Sequence, residues 1–211
     1  MKAIHIVSRA VAAVALIATA SSCGNVVRNS RAPVFLVVDK ILGVRGNATP
    51  GQPSIPLSSD VITLVTTPAP CTTTSPCPTI FSDSGIATFR LSPKDIGLPG
   101  STVTPSTNNE VTITRVHVSF RRTDGRNLEG VDVPFAFDSA ATITVPASGT
   151  VDLPFEIVRN TAKVENPLVQ LRAAGFIVST MAELTFYGRD QVGNDVVATG
   201  TLQVDFGNFG D

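Results

Sequence analysis

The chain has 211 residues, 43% hydrophobic and only 16% charged, with a formal net charge of -1, no tryptophan and one tyrosine, Tyr187. That length suits one large domain or two small ones. The near-neutral balance offers no electrostatic case for nucleic acid or an anionic membrane surface, and stacking platforms for sugars or bases would have to be built almost entirely from Phe.

The N-terminus reads as an address. Lys2 and Arg9 make a short basic start, Ala10 to Ala18 an apolar run, and Ala20, Ser21 and Ser22 lead directly into Cys23. This is the layout of a secretory signal peptide, with an apolar run far short of the roughly 20 residues that span a bilayer. Small residues ending in Cys resemble the lipobox of bacterial lipoproteins, with Ala20 where that family has Leu. The resemblance implies cleavage before Cys23, a thioether-linked diacylglycerol on its sulfur and acylation of its new amine. Several acyl chains on one residue anchor stably where one would be marginal. Gly24 rather than Asp after the cysteine implies sorting to an outer membrane. The plainer alternative is an ordinary signal peptide with Cys23 free or disulfide-bonded. Removal of residues 1–22 would leave 14 basic and 17 acidic residues, a formal charge of -3, and a single histidine, His117.

Residues 23–32 then form a lipidated cysteine and flexible tether, and 33–211 a folded domain. Thr, Ser, Val, Pro and Gly dominate it, a mixture that favours strands and turns. Pro33 to Val38 is a β-branched first strand, continued by Ile41 and Leu42. Gly43 to Ser59 reads as loop, and Val61 to Val65 as a short strand leading to Cys71 and Cys77. With Cys23 lipidated, these two cysteines remain, close in sequence in an oxidising compartment, and a disulfide between them is expected. Closing so short a loop is worth about 2–3 kcal/mol of chain entropy. A metal site would want more ligands, and a redox pair a shorter spacer.

Thr79 to Leu91 reads as a hairpin that turns at Ser82-Asp83-Ser84-Gly85, followed by a polar loop from Gly97 to Asn109. Glu110 to Arg122 is the longest central strand, and the phase change at Thr114-Arg115 predicts a β-bulge or bend. Thr123-Asp124-Gly125-Arg126 is a turn. Three further strands are expected: Val131 to Phe137, Ile143 to Val145, and Val151 to Ile157. Pro134 and Pro154 lie in outward phase, which argues for edge strands or breaks there. Asn160 to Ala174 is the one helical candidate, with Val164, Leu168 and Leu171 as its stripe and Asn166-Pro167 as its cap.

Val178 to Phe206 is the strongest pattern. Val178, Ala182, Leu184 and Phe186, with Thr180 as the polar member of the row, alternate with outward residues. Val196, Ala198, Leu202, Val204 and Phe206 do the same after a turn at residues 188–195. Period-two alternation marks strands buried on one face. The expected fold is all-β: a single elaborated antiparallel sandwich with long loops and one short helix. The closing segment Phe186-Tyr187-Gly188-Arg189-Asp190-Gln191-Val192-Gly193-Asn194 resembles the last hairpin of bacterial immunoglobulin-like and fibronectin type III domains, which implies an immunoglobulin-like sandwich. As a whole the chain resembles uncharacterised small bacterial lipoproteins, a resemblance that carries no activity with it.

Chemistry-bearing residues are sparse. His117 lies on the outward phase between Val116 and Val118, where an exposed strand histidine is the simple reading. No Gly-x-Ser-x-Gly elbow or free Cys accompanies it. Asp190, Asn194 and Asp195 on one turn are weak calcium candidates that match no EF-hand spacing, and turn chemistry is the simpler account of them. Arg115, Arg121 and Arg122 near His117 read as a solvated face. No cofactor is implied. The expected function is a lipid-anchored envelope protein, non-enzymatic, with a binding or structural role. Its partners are the membrane through the anchor and an envelope protein. One alternative is an accessory subunit of an envelope export or assembly machine that pairs by β-augmentation; another is a hydrolase with an unrecognised carboxylate site.

Overall fold

The computed structural model describes residues 31–47, 52–95, 97–98, 100 and 102–210. The expected signal peptide, Cys23 and all of the tether except Arg31 and Ala32 lie outside them. The described chain is all-β and mostly antiparallel. Its strands are β1 (Val34–Val44), β2 (Leu57–Asp60), β3 (Thr63–Val65), β4 (Cys77–Thr79), β5 (Asp83–Pro93), β6 (Val111–Arg121), β7 (Phe137–Val145), β8 (Val151–Val158), β9 (Val178–Asp190) and β10 (Asp195–Gly207). A three-stranded sheet in the order β1-β5-β8 faces a five-stranded sheet in the order β2-β10-β9-β6-β7, and β3 and β4 form a separate ribbon.

The alternating residues of the final hairpin drive this arrangement. Ala182, Leu184, Phe186, Val196, Leu202, Val204 and Phe206 are all buried, and β9 and β10 pair in register from Asp195 opposite Arg189 to Phe206 opposite Val178. Thr180, the polar member of the inward row, is buried because its hydroxyl donates to the Val204 carbonyl at 3.1 Å. Phe186 meets the facing sheet edge-on, its ring 4.8 Å from Phe89 of β5 and 5.6 Å from Phe155 of β8. Such edge-to-face contacts add to the burial of the rings themselves. β1 runs with a register shift at Asp39 and packs across β10. The expected bulge is present: β6 shifts register between Ile113 and Arg115 against both neighbours. Pro154 lies on β8, an outer strand of its sheet, as its outward phase predicted. Cys71 and Cys77 are joined, with sulfurs 2.08 Å apart.

Four expectations change. Ser82 to Gly85 is no turn, because β5 runs unbroken from Asp83. Asp83 is held in the interior by ionic partners, and Gly85 is in the strand because the Phe155 ring lies over it, 2.4 Å from where a Cβ would stand. The loop expected from Gly43 to Ser59 ends in β2, which joins β10 in parallel, so the five-stranded sheet is mixed. The strand expected from Val131 begins only at Phe137. Val131 and Phe135 are exposed while Val133 is buried, in a loop closed by Gly130 N–H to Val133 O at 2.8 Å. The helix expected from Asn160 is two 3-10 turns, Ala162–Val164 and Leu168–Arg172. Pro167 has no N–H for the Lys163 carbonyl, which accepts instead from Arg172 Nη2 at 2.9 Å. Leu168 and Leu171 are buried, whereas Val164 is exposed.

Candidate functional site

The outward face of the five-stranded sheet gathers most of the residues that carried chemistry in the sequence. The bulge turns Thr114 and Arg115 outward in succession. Register then sets Arg115 beside Tyr187 of β9, and His117 between Thr185 of β9 and Asp138 of β7. The Arg115 guanidinium lies 3.8 Å over the Tyr187 ring, and its Nη1 is 3.1 Å from Asp138 Oδ1. His117 Nδ1 is 3.3 Å from the same oxygen. Arginine suits this position because a flat guanidinium can stack on a ring and bind a carboxylate at once. An open groove of about 430 Å³ runs over this row, lined by Thr114, Arg115, Tyr187, Gly188, Arg189 and Asp195. Arg189 pairs with Asp195 at 2.7 Å across its rim.

The turn beyond the groove is organised by Asp190. Its Oδ1 accepts from the N–H of Val192 at 3.1 Å and of Asn194 at 2.8 Å, and its Oδ2 accepts from Asn194 Nδ2 at 2.7 Å. Asp190 and Asn194 are therefore brought together by turn bonds, whereas Asp195 pairs with Arg189 at the groove rim. Among the described residues, no group of three His, Cys, Asp or Glu side chains has metal-binding geometry. Elsewhere on the face, Arg121 reaches Glu183 at 3.5 Å. Arg122 and Arg126 both bind Asp124, at 2.6 and 2.9 Å. Hydrogen bonds from Arg122 and then Arg126 hold the Asp124 carboxyl well below the usual carboxylate range. Exposed pairs of this kind order side chains and contribute little stability. The face is thus a lattice of matched charges around one aromatic, suited to polar, reversible contact. His117 has a carboxylate partner, and among the described residues no hydroxyl or thiol is hydrogen-bonded to it.

A second cluster lies between the ends of the two sheets, and the sequence reading missed it. Asp83 at the start of β5 is 0% exposed and Lys163 is 1% exposed, with Nζ 2.8 Å from Asp83 Oδ2. The same oxygen accepts from Ser59 Oγ at 2.6 Å, and Oδ1 accepts from the Gly46 N–H at 2.7 Å. Beside it, buried Asp60 binds Arg45 Nη2 at 2.6 Å and Thr63 Oγ1 at 3.0 Å. Asp60 also accepts from the Phe209 N–H at 3.2 Å. Burial pushes the Lys163 ammonium below the usual lysine range, and the Asp83 charge opposes that shift. Nothing in the local sequence signals the pair. Ser-Asp-Ser-Gly has turn composition, and Lys163 adjoins the residue expected to start an apolar stripe.

No protein-family model matches the chain, and no curated protein does. Among solved structures, the X-ray structure of Northeast Structural Genomics Consortium target SoR45 aligns with 82% of this chain and 86% of its own, at 10% identity and a TM-score of 0.36.

Proposed function

We propose that this chain is a lipid-anchored cell-envelope protein with a non-enzymatic binding role, built on an immunoglobulin-like sandwich. The observation that carries the reading is strand order. In immunoglobulin-like domains the second and fifth strands of one sheet face the third, sixth and seventh of the other, and variable-type domains add two strands beyond the third. Here β5 and β8 face β6, β9 and β10 in the same chain order, with β7 added beside β6. The Phe89–Phe186 contact occupies the place where antibody domains carry their inter-sheet disulfide. The binding surface in this reading is the outward face with Arg115, Tyr187 and His117. The anchor is Cys23, acylated in an outer membrane after removal of residues 1–22, and residues 24–31 tether the domain to it, Ala32 being buried in the core rather than part of the tether.

Intact mass with membrane fractionation tests the anchor. Wild type is expected in the outer-membrane fraction, acylated and starting at Cys23, and Cys23→Ala is expected to be released. A soluble, unacylated wild type would overturn it. The binding face is tested by cross-linking in membranes: Arg115→Glu with Tyr187→Ala should abolish recovery of an envelope protein that wild type captures. Unchanged recovery would remove the face from the proposal.

One observation favours accessory-subunit pairing as a second reading. β7 is one of the two outer strands of the five-stranded sheet, runs nine residues where β2 runs four and, unlike β8, contains no proline. Such an edge can accept a partner strand. A proline at Ala141 should then abolish partner capture while leaving the fold intact.

A further inference from the structure

Lysine is almost never fully buried, and a dry interior favours its neutral amine over its ammonium. Lys163 and Asp83 are nevertheless both inside the molecule, their polar atoms 2.8 Å apart. They come from segments far apart in the chain, one at the start of β5 and one in the first 3-10 turn after β8. The donors around Asp83 are divided between its two oxygens. Gly46 N–H lies on Oδ1, while Lys163 Nζ and Ser59 Oγ converge on Oδ2.

We propose that Lys163 and Asp83 form an intramolecular amide, an isopeptide cross-link made by the folded chain itself. A proton first passes from the ammonium to the carboxylate along the 2.8 Å Nζ–Oδ2 contact, leaving a neutral amine beside a neutral acid. Nζ attacks Cγ of Asp83 and a C–N bond forms. Oδ1 carries the charge of the tetrahedral adduct, where the Gly46 N–H, 2.7 Å away, is a fixed donor to it. The Cγ–Oδ2 bond breaks and Oδ2 departs as water. Of the three ammonium protons, one stays on the amide and two leave with that water, so atoms balance and nothing is oxidised or reduced. The fold supplies what the reaction lacks in solution: two groups held in contact, which raises their effective concentration by orders of magnitude. It also removes the bulk water that would favour the separate ions. The product ties β5 covalently to the segment between β8 and β9 and replaces two buried charges with one neutral amide.

The test uses the full-length protein, denatured, reduced and digested with trypsin, with peptides read by tandem mass spectrometry. The expected result is one branched peptide joining the segments that hold Asp83 and Lys163, lighter than their sum by one water, with no cleavage after Lys163. Lys163→Arg is expected to return both segments as linear peptides of sequence mass. Two results would overturn the proposal. One is recovery of both linear peptides from wild type, with cleavage after Lys163. The other is a water loss confined to a linear peptide, as an imide at Asp124-Gly125 would produce. Both come from the wild-type chain, so the decision does not depend on whether Lys163→Arg folds.

Discussion

Asp83 and Asp124 are both aspartates flanked by cations, and burial makes them opposite cases. Asp83 is fully enclosed with Lys163, so without the lysine, whether as ion pair or as amide, the Asp83 carboxylate is left uncompensated where water cannot reach it. Lys163→Met should therefore destabilise the protein by about 3–5 kcal/mol or more, read as a lower urea midpoint. Asp124 is on the surface, its carboxyl held down by Arg122 and Arg126. A carboxyl with a depressed folded pKa contributes stability that is present above its unfolded pKa and is lost only as pH falls through the folded one. Its side-chain carbon resonance should not titrate through the ordinary carboxylate range, unlike that of an unpaired aspartate, while Arg122→Ala together with Arg126→Ala should restore normal titration. His117→Ala, on the exposed face, should change stability by less than about 1 kcal/mol by the same measurement.

At the scale of elements, the sheets are sensitive where backbone or ring fills the space a side chain would need. Gly188 of β9 lies against the β6 bulge, and a Cβ there would stand 2.7 Å from the Thr112 carbonyl oxygen and 3.2 Å from Ile113 Cα. Backbone cannot yield as a side-chain tip can, so Gly188→Ala should cost about 1–3 kcal/mol. Phe186→Ala should cost about 3–5 kcal/mol in chemical denaturation, since it removes the ring between Phe89 and Phe155. The elements easiest to read in the sequence were those with long strict alternation, β9, β10 and β8, because one buried face leaves a period-two trace. The bulge at Thr114-Arg115 was legible for the same reason, as a break in that trace. Failures came where local composition and tertiary role diverge. Gly85 reads as a turn residue but serves as a clearance for Phe155, and residues 160–174 carry a helical stripe that the missing Pro167 N–H interrupts.

At the scale of the molecule, the disulfide and the strand order act differently. Cys71 and Cys77 close a short loop attached to the peripheral β3–β4 ribbon. Their replacement by serine should lower stability by no more than about 2–3 kcal/mol, with amide exchange rising in that ribbon rather than across the two sheets. The outward face shows how far the candidate site could be read. That His117, Arg115 and Tyr187 face outward followed from alternation in their own strands. That Arg115 stacks on Tyr187 while sharing Asp138 with His117 followed only from the register of three strands.

The sequence alone was enough for the all-β class, the buried faces of the long strands, the bulge and the cysteine pair, because periodicity and short-range spacing are written locally. Tertiary structure decided the rest: the parallel β2–β10 pairing, the groove and the interior Asp83–Lys163 pair. Each joins residues far apart in the chain, and their contact depends on which sheet edges meet, which no local pattern encodes.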